Sequence, residues 1–322
     1  MNEKQKKYGL KNLGLPAIET ISDLANEIRL SDNKIRYLAY RAQHLYKVYS
    51  IPKKSGGSRL IAQPSRELKA VQGWILRNIL DKLSASEHSK GFEKESSILD
   101  NAMPHVGANY VLTVDLQDFF PSIKANKVYS IFYSVGYNKL ISSVLTSICT
   151  YDGRLLQGAP TSPKLANLIC AKLDSRLSGY SGPLGIVYTR YADDITLSGQ
   201  AARKIYKARD FINVIISSEG FKVNEKKTKI CGTQRQKRIT GLVVNENHAG
   251  IGRKRYREIR VKLHRLFVGK SDDYNHVNGF LSFVYDVDYK SYKKLFLYIN
   301  NLKEKYPSSS AGLNIFPEIN KS

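Results

Sequence analysis

The chain has 322 residues, 42% of them hydrophobic, which supports a sizeable core and excludes intrinsic disorder. Lys and Arg number 51 against 28 Asp and Glu, and the formal net charge of +23 makes an extended polyanion, nucleic acid before membrane, the first partner to consider. No apolar run is long enough to span a bilayer, and the opening MNEKQKKYGL lacks the apolar core of a signal peptide, so a cytoplasmic location is expected.

In chain order, Ile21, Leu24, Ala25 and Ile28 recur at helical spacing, and Ser31 is placed to cap a second helix. LYKVYSIPKKSGGSRLIAQPS reads as two extended runs around a Ser-Gly-Gly-Ser turn, a hairpin. SRELKAVQGWILRNILDKL predicts one long helix starting near Ser65 or Arg66, with Leu68, Val71, Ile75, Ile79 and Leu83 in a buried stripe. VLTVDLQDFFPSI predicts a strand stopped by Pro121, the proline opening the next helix. Helical segments follow over residues 126–150. SPKLANLICAKLDSRLSG predicts a helix with Ser162 as N-cap, Pro163 in the first turn and Gly179 past the end. A hairpin turning at Ala192–Asp194, the helix ARKIYKARDFINVIISSEG and two short strands, in KVNEKKTKICG and RQKRITGLVVN, complete the order. The pattern fits an α+β lobe of the split-βαβ kind. Cys149, Cys170 and Cys231 lie far apart and read as reduced and structural; no HxxxH or CxxC spacing supports a zinc site.

Two features bear on chemistry. Asp115 interrupts the apolar run of Val111, Leu112 and Val114, and a carboxylate there needs compensation. In IVYTRYADDITLSG, Asp193 and Asp194 stand side by side between strand-forming runs, so the turn is either fully solvated or a metal site awaiting a third ligand. If the Asp115 strand lies beside this hairpin the three acids converge, as hard oxygen donors that suit Mg²⁺ far better than zinc. Two such ions, about 3.5–4 Å apart, activate an attacking hydroxyl and stabilise a leaving pyrophosphate oxygen, which is nucleotidyl transfer. Basic density rises in RKRYREIRVKLHR, where Arg253, Lys254, Arg257, Arg260 and Lys262 alternate with Tyr256, Leu263, Leu266 and Phe267. A charge run is usually a solvated face; this interleaving reads as an amphipathic helix presenting cations to a duplex.

Three blocks in this order, Asp115 with Phe119 and Phe120, then QGAPTSP from Gln157 to Pro163, then Tyr191-Ala192-Asp193-Asp194, resemble the reverse transcriptases, over roughly residues 53–279. Gly91-Phe92 is similar to a block of bacterial and intron-encoded members, and IPKKSGGSRLIAQP to their fingertip. Asn101-Ala102-Met103-Pro104-His105 matches the NAxxH pattern of the retron branch, and Ile239-Thr240-Gly241 stands where those enzymes usually have Val-Thr-Gly.

The resemblance implies a right-hand polymerase fold: N-terminal helices and fingers in 1–110, a palm in 111–245 with finger helices inserted at about 125–155, a helical thumb in 246–306 and a polar tail in 307–322. It implies an RNA-directed DNA polymerase with two Mg²⁺ ions, held by Asp115 and Asp193 with Asp194 in support and the Leu116 carbonyl as a further oxygen. Phe120 would exclude a ribose hydroxyl and select dNTPs, although plain core packing is the alternative for both phenylalanines. Lys53, Lys54 and Arg59 would meet the triphosphate, Gln157 and Gly158 the nascent pair, and Tyr191 the primer end. Asn101 and His105 would position RNA. The implied partners are a cognate noncoding RNA, used as template and as primer through a guanosine 2′-hydroxyl, and its branched product, multicopy single-stranded DNA (msDNA). An effector protein for antiphage defence and a host RNase H that trims the template are also implied, and no membrane.

Overall fold

The computed structural model describes residues 9–52 and 56–315. Helix α1 (Ile21–Ile28) opens with a capping box between Thr20 and Asp23, and α2 (Asp32–Tyr40) is capped by Ser31 as the sequence predicts. Strands β1 (Tyr46–Pro52) and β2 (Ser58–Pro64) form an antiparallel hairpin, largely exposed, that is anchored where the Ala62 N–H donates to the Gln157 carbonyl at 2.8 Å. Lys53 and Lys54 lie outside the described residues.

Helix α3 (Arg66–Asn78) is shorter than its sequence suggests, and Leu80–Lys82 form a separate 3₁₀ turn. Ile79 and Leu80 are both fully buried. Neighbours in sequence cannot share one face of an α-helix, so the break lets both reach the core. Next come α4 (Ile98–Ala102) and β3 (Tyr110–Asp115). Strand β3 ends at Asp115 rather than at Pro121: Asp118 takes φ 45° and redirects the chain. Pro121 then sits inside the four-residue α5 (Phe119–Ser122), where its missing N–H costs no helical bond.

Helices α6 (Ala125–Ser134) and α7 (Lys139–Cys149) pack against each other. The helix predicted after QGAPTSP is two helices, α8 (Ser162–Ile169) and α9 (Ala171–Ser181), with Thr161 rather than Ser162 at the N-cap position. Gly179 lies within α9, because Leu173, Leu177 and Ser181 make a continuous buried row, and the left-handed turn falls later, on Gly185 at φ 68°. Strands β4 (Val187–Tyr191) and β5 (Asp194–Gly199), helix α10 (Ala202–Ser218) and β6 (Lys229–Cys231) complete the central unit.

The central sheet is antiparallel throughout, in the order β4-β5-β3-β6. Its two-residue period sorts the side chains. Leu112, Val114, Tyr188, Arg190, Ile195 and Leu197 face α9 and α10, and all but Arg190 belong to the larger core. Thr113, Asp115, Thr189, Tyr191, Asp194, Thr196 and Ser198 fall on the opposite face, so the register that pairs Asp115 with Asp194 brings both acids to one edge. A second core lies under the three-stranded sheet of β7 (Lys237–Ile239), β8 (Leu242–Val244) and β9 (Ala249–Gly250), with α11 (Gly252–Phe267), α12 (Tyr274–Val287) and α13 (Tyr289–Lys305). Cys149 and Cys170 are buried free thiols, and Cys231 is half-buried. No helix among the described residues is long and apolar enough to cross a membrane.

Arg190 has no exposed surface. Its Nε and Nη2 donate to the two carboxylate oxygens of Asp174 at 2.6 and 2.7 Å, and its Nη1 donates to Asn167 Oδ1 and to the Ala192 carbonyl, both at 3.1 Å. Removing one partner of such a pair strands a buried charge. Asp174→Asn is therefore expected to lower unfolding free energy by about 3–5 kcal/mol, read as a lower urea midpoint at unchanged slope.

Candidate active site

The acidic edge is assembled by backbone pairing. Asp115 is the last residue of β3 and lies opposite Asp194, the first residue of β5, while the Leu116 N–H donates to the Asp193 carbonyl at 3.0 Å. Ala192 makes the turn in the left-handed region, φ 56°. Burial raises the Asp193 carboxyl above its usual range, with the Asp115 charge adding to the effect and Lys227 and Arg59 opposing it. Asp194 is pushed up to about 6, first by desolvation under its neighbours, although the residue still reaches solvent at the start of β5, and then by the charges of Asp193 and Asp115. The site stores negative charge that asks for a cation.

Lys227 supplies part of it. Its Nζ lies 2.8 Å from Asp115 Oδ2, and Asn224 Nδ2 donates to Asp115 Oδ1 at 3.0 Å. That hydrogen bond holds the Lys227 ammonium above the ordinary lysine value. Among the described residues no three carboxylate, imidazole or thiolate groups close into a cation cage. The donor set nevertheless fits a hard divalent ion: carboxylate oxygens short of positive charge, with an ammonium already standing in at one of them.

A cleft of 1220 Å³ opens between this edge and the β1–β2 hairpin, lined by Arg59, Asp115, Leu116, Phe120, Gln157, Asp193 and Lys227 among others. Arg59 is exposed on β2. Phe120 is almost buried, its ring against Phe119 and 6.2 Å from that of Phe92. Gly158 has φ 120°, and a Cβ there would lie 2.4 Å from the Ala62 carbonyl oxygen, so glycine lets the QGAPTSP loop touch the hairpin. Tyr191 is half-buried, its ring 6.4 Å from Phe92.

Asn101 and His105 lie elsewhere. Both are fully buried, which excludes direct contact with nucleic acid in this arrangement. The ring nitrogens of His105 bond Ser198 Oγ at 2.7 Å and Thr189 Oγ1 at 2.8 Å, bridging β5 and β4. The Asn101 carboxamide has no hydrogen-bond partner. On α11, Arg253, Lys254, Arg257, Arg260 and Lys262 are all exposed opposite the buried Ile259, Leu263, Leu266 and Phe267. Two of them are engaged within the molecule: Arg260 stacks over Tyr298 at 4.3 Å, and Lys262 Nζ lies 2.7 Å from His276 Nε2.

Sequence reasoning missed Lys227, Asn224, Arg190, Asp174 and Asn167. The alternation in YTRY carried one usable signal, because it places Arg190 on the same inward face as Tyr188, where a guanidinium demands a buried acid.

An acid pair across antiparallel strands, a neighbouring acid lining the cleft and a glycine-permitted loop contact define the palm of a nucleic-acid polymerase. The family model described as reverse transcriptase (RNA-dependent DNA polymerase) matches residues 51–244. Retron Ec86 reverse transcriptase of Escherichia coli is 56% identical over 301 residues, 93% of this chain and 94% of that protein. Retron Mx65 reverse transcriptase of Myxococcus xanthus is 34% identical over 302 residues, 85% of this chain and 70% of its own. Retron Ec73 reverse transcriptase of E. coli is 34% identical over 269 residues, 77% and 85% respectively. The chain belongs to the retron reverse transcriptases and is an RNA-directed DNA polymerase of right-hand fold.

Burial pushes His105 down to about 4. The unfolded chain takes up this proton near the ordinary imidazole value of about 6.5, so the His105 contribution is fully present above that pH and is lost as pH falls toward 4. Between pH 7.5 and 5.0 the stability advantage of wild type over the non-titrating His105→Gln should shrink by about 2 kcal/mol, measured by urea unfolding at both pH values.

Proposed function

We propose that this enzyme copies a cognate noncoding RNA that serves as both template and primer, starting at a 2′-hydroxyl and leaving branched msDNA. The observation that carries the reading is the Asp115–Asp194 pair with Asp193 beside it, Asp115 and Asp193 lining the cleft beneath the hairpin. Relatives named as retron reverse transcriptases support it, as does a chain of net charge +23. We assign N-terminal helices and fingers to 1–110, palm to 111–245 and thumb to 246–306; the second core joins α11, α12 and α13 to the β7–β9 sheet across that last boundary. An effector protein, a host RNase H acting on the template and a bacterial cytoplasmic setting belong to the same proposal.

Asp115 and Asp193, with Asp194 and the Leu116 carbonyl, would hold two Mg²⁺ ions, which when bound supply Lewis-acid activation of the attacking hydroxyl and neutralise the leaving pyrophosphate. The chain's own groups do the rest. Arg59 stands on the hairpin where a triphosphate would enter, with a forked donor suited to phosphate, and Gln157 and Gly158 bring loop backbone to the same cleft. Phe120 lines the cleft beside the acids and would close against C2′ of the incoming sugar. The outward cations of α11 fix phosphates without reading bases, so recognition of the RNA rests on its folded shape.

With the co-expressed RNA, wild type is expected to incorporate dNTPs in a Mg²⁺-dependent reaction. Asp193→Asn should lower that rate by about 100-fold or more while RNA binding, followed by filter retention, stays intact. Unchanged synthesis would remove the acids from the mechanism. Phe120→Ala should raise the ratio of rNTP to dNTP incorporation by about tenfold or more, scored by single-nucleotide extension.

A further inference from the structure

The segment before α4 runs alongside the strand that leads into the acidic turn. The Lys90 N–H donates to the Arg190 carbonyl at 2.7 Å, and the Arg190 N–H donates to the His88 carbonyl at 2.8 Å. Gly91 then comes so close to the turn that a Cβ would stand 2.8 Å from the Ala192 nitrogen. Phe92 follows at φ 62°, a conformation that an aromatic residue adopts only at a conformational cost. The residues on both sides of it are fastened to α8, Gly91 through its backbone carbonyl and Glu93 through its carboxylate. Asn167 Nδ2 donates to the Gly91 carbonyl at 2.7 Å and to Glu93 Oε1 at 2.8 Å, and Lys164 Nζ lies 2.5 Å from Glu93 Oε2.

This strain does not serve burial, because Phe92 is 47% exposed. A turn alone would be made more easily by glycine, which the preceding position already uses. What remains is the ring itself, held between Phe120 and Tyr191, with centroids 6.2 and 6.4 Å away. Phe120 lines the cleft that would receive the incoming nucleotide, and Phe92 does not. An exposed aromatic face beside the acidic turn in a strongly basic chain suits a base or deoxyribose face, since stacking is tolerant of sequence. Building on the polymerase reading, we infer that Phe92 is the platform for the primer-terminal nucleotide, the one already joined rather than the one arriving.

The test uses the full chain with a DNA primer on an RNA template, the primer ending in 2-aminopurine, and no dNTP. Wild type should quench the terminal fluorophore. Phe92→Gly, which relieves the positive φ, should melt within about 4 °C of wild type yet lose the quench. The same variant should lower kcat/KM for the next nucleotide at least about fivefold, the low end for loss of one aromatic stack. Phe92→Tyr should restore both. Equal quenching and equal extension by Phe92→Gly would overturn the platform, as would a Phe92→Tyr variant as impaired as Phe92→Gly. Failure of wild type to extend any primer would instead sink the polymerase reading, and the quench would still decide whether the terminus rests on Phe92.

Discussion

The buried pair of Arg190 and Asp174 is the constraint on which the candidate site depends. Two charges without solvent contact are held there at a desolvation cost that an apolar pair of equal volume would avoid. An apolar pair would also keep α9 against β4. It would not reach the Ala192 carbonyl, to which Arg190 Nη1 donates at 3.1 Å, nor the Asn167 amide, which in turn holds Gly91 and Glu93. The guanidinium thus ties a helix, the acidic turn and the segment before α4 to one rigid plane. The left-handed Ala192 and Phe92 both lie within reach of this network, which is where strained backbone can be sustained.

On that frame the electrostatics are opposed by design of the sheet. Alternation places Asp115 and Asp194 together on the polar face, and burial together with mutual repulsion raises the carboxyls of Asp193 and Asp194. The opposing charge comes from a distance in sequence: Lys227 follows Asp115 by more than a hundred residues, and Arg59 stands on a separate hairpin. A site balanced in this way gains from any further cation that enters and from any polyanion that follows it.

The sequence was most legible where one residue's environment follows from its own neighbours. Ser31 and Ser65 cap the helices they precede, the hairpins fall at their glycine and Ala-Asp turns, and Asp115 meets the Asp193-Asp194 turn because strand period and register leave few alternatives. It was least legible where distant parts compete. The breaks after Asn78 and at Cys170 were hidden by continuous apolar stripes, since a stripe cannot tell a straight helix from two that share a core. Lys227 sat in an ordinary basic run, and nothing in KVNEKKTKI tells which lysine turns inward. His105 looked polar and available, yet its two partners lie on strands more than eighty residues away.

That burial alters what the paired retron signatures do. Residues 97–107 fill the polar face of the central sheet through His105, and the same segment meets the second core. Thr240 of the Ile-Thr-Gly triplet donates its hydroxyl to the Ile98 carbonyl at 3.2 Å, and the Gly107 N–H donates to the Asn245 carbonyl at 3.0 Å. The segments that carry the two motifs therefore touch, and they form the joint between the strands bearing the acids and the sheet on which α11 rests. On the proposed reading, in which the outward cations of α11 meet phosphates, a joint fixed by hydrogen bonds on both sides would set the distance from those contacts to the reacting end. With Asn101 and His105 fully buried, the same reading would give these motifs an effect on the copied RNA through that spacing rather than through a base held by either side chain.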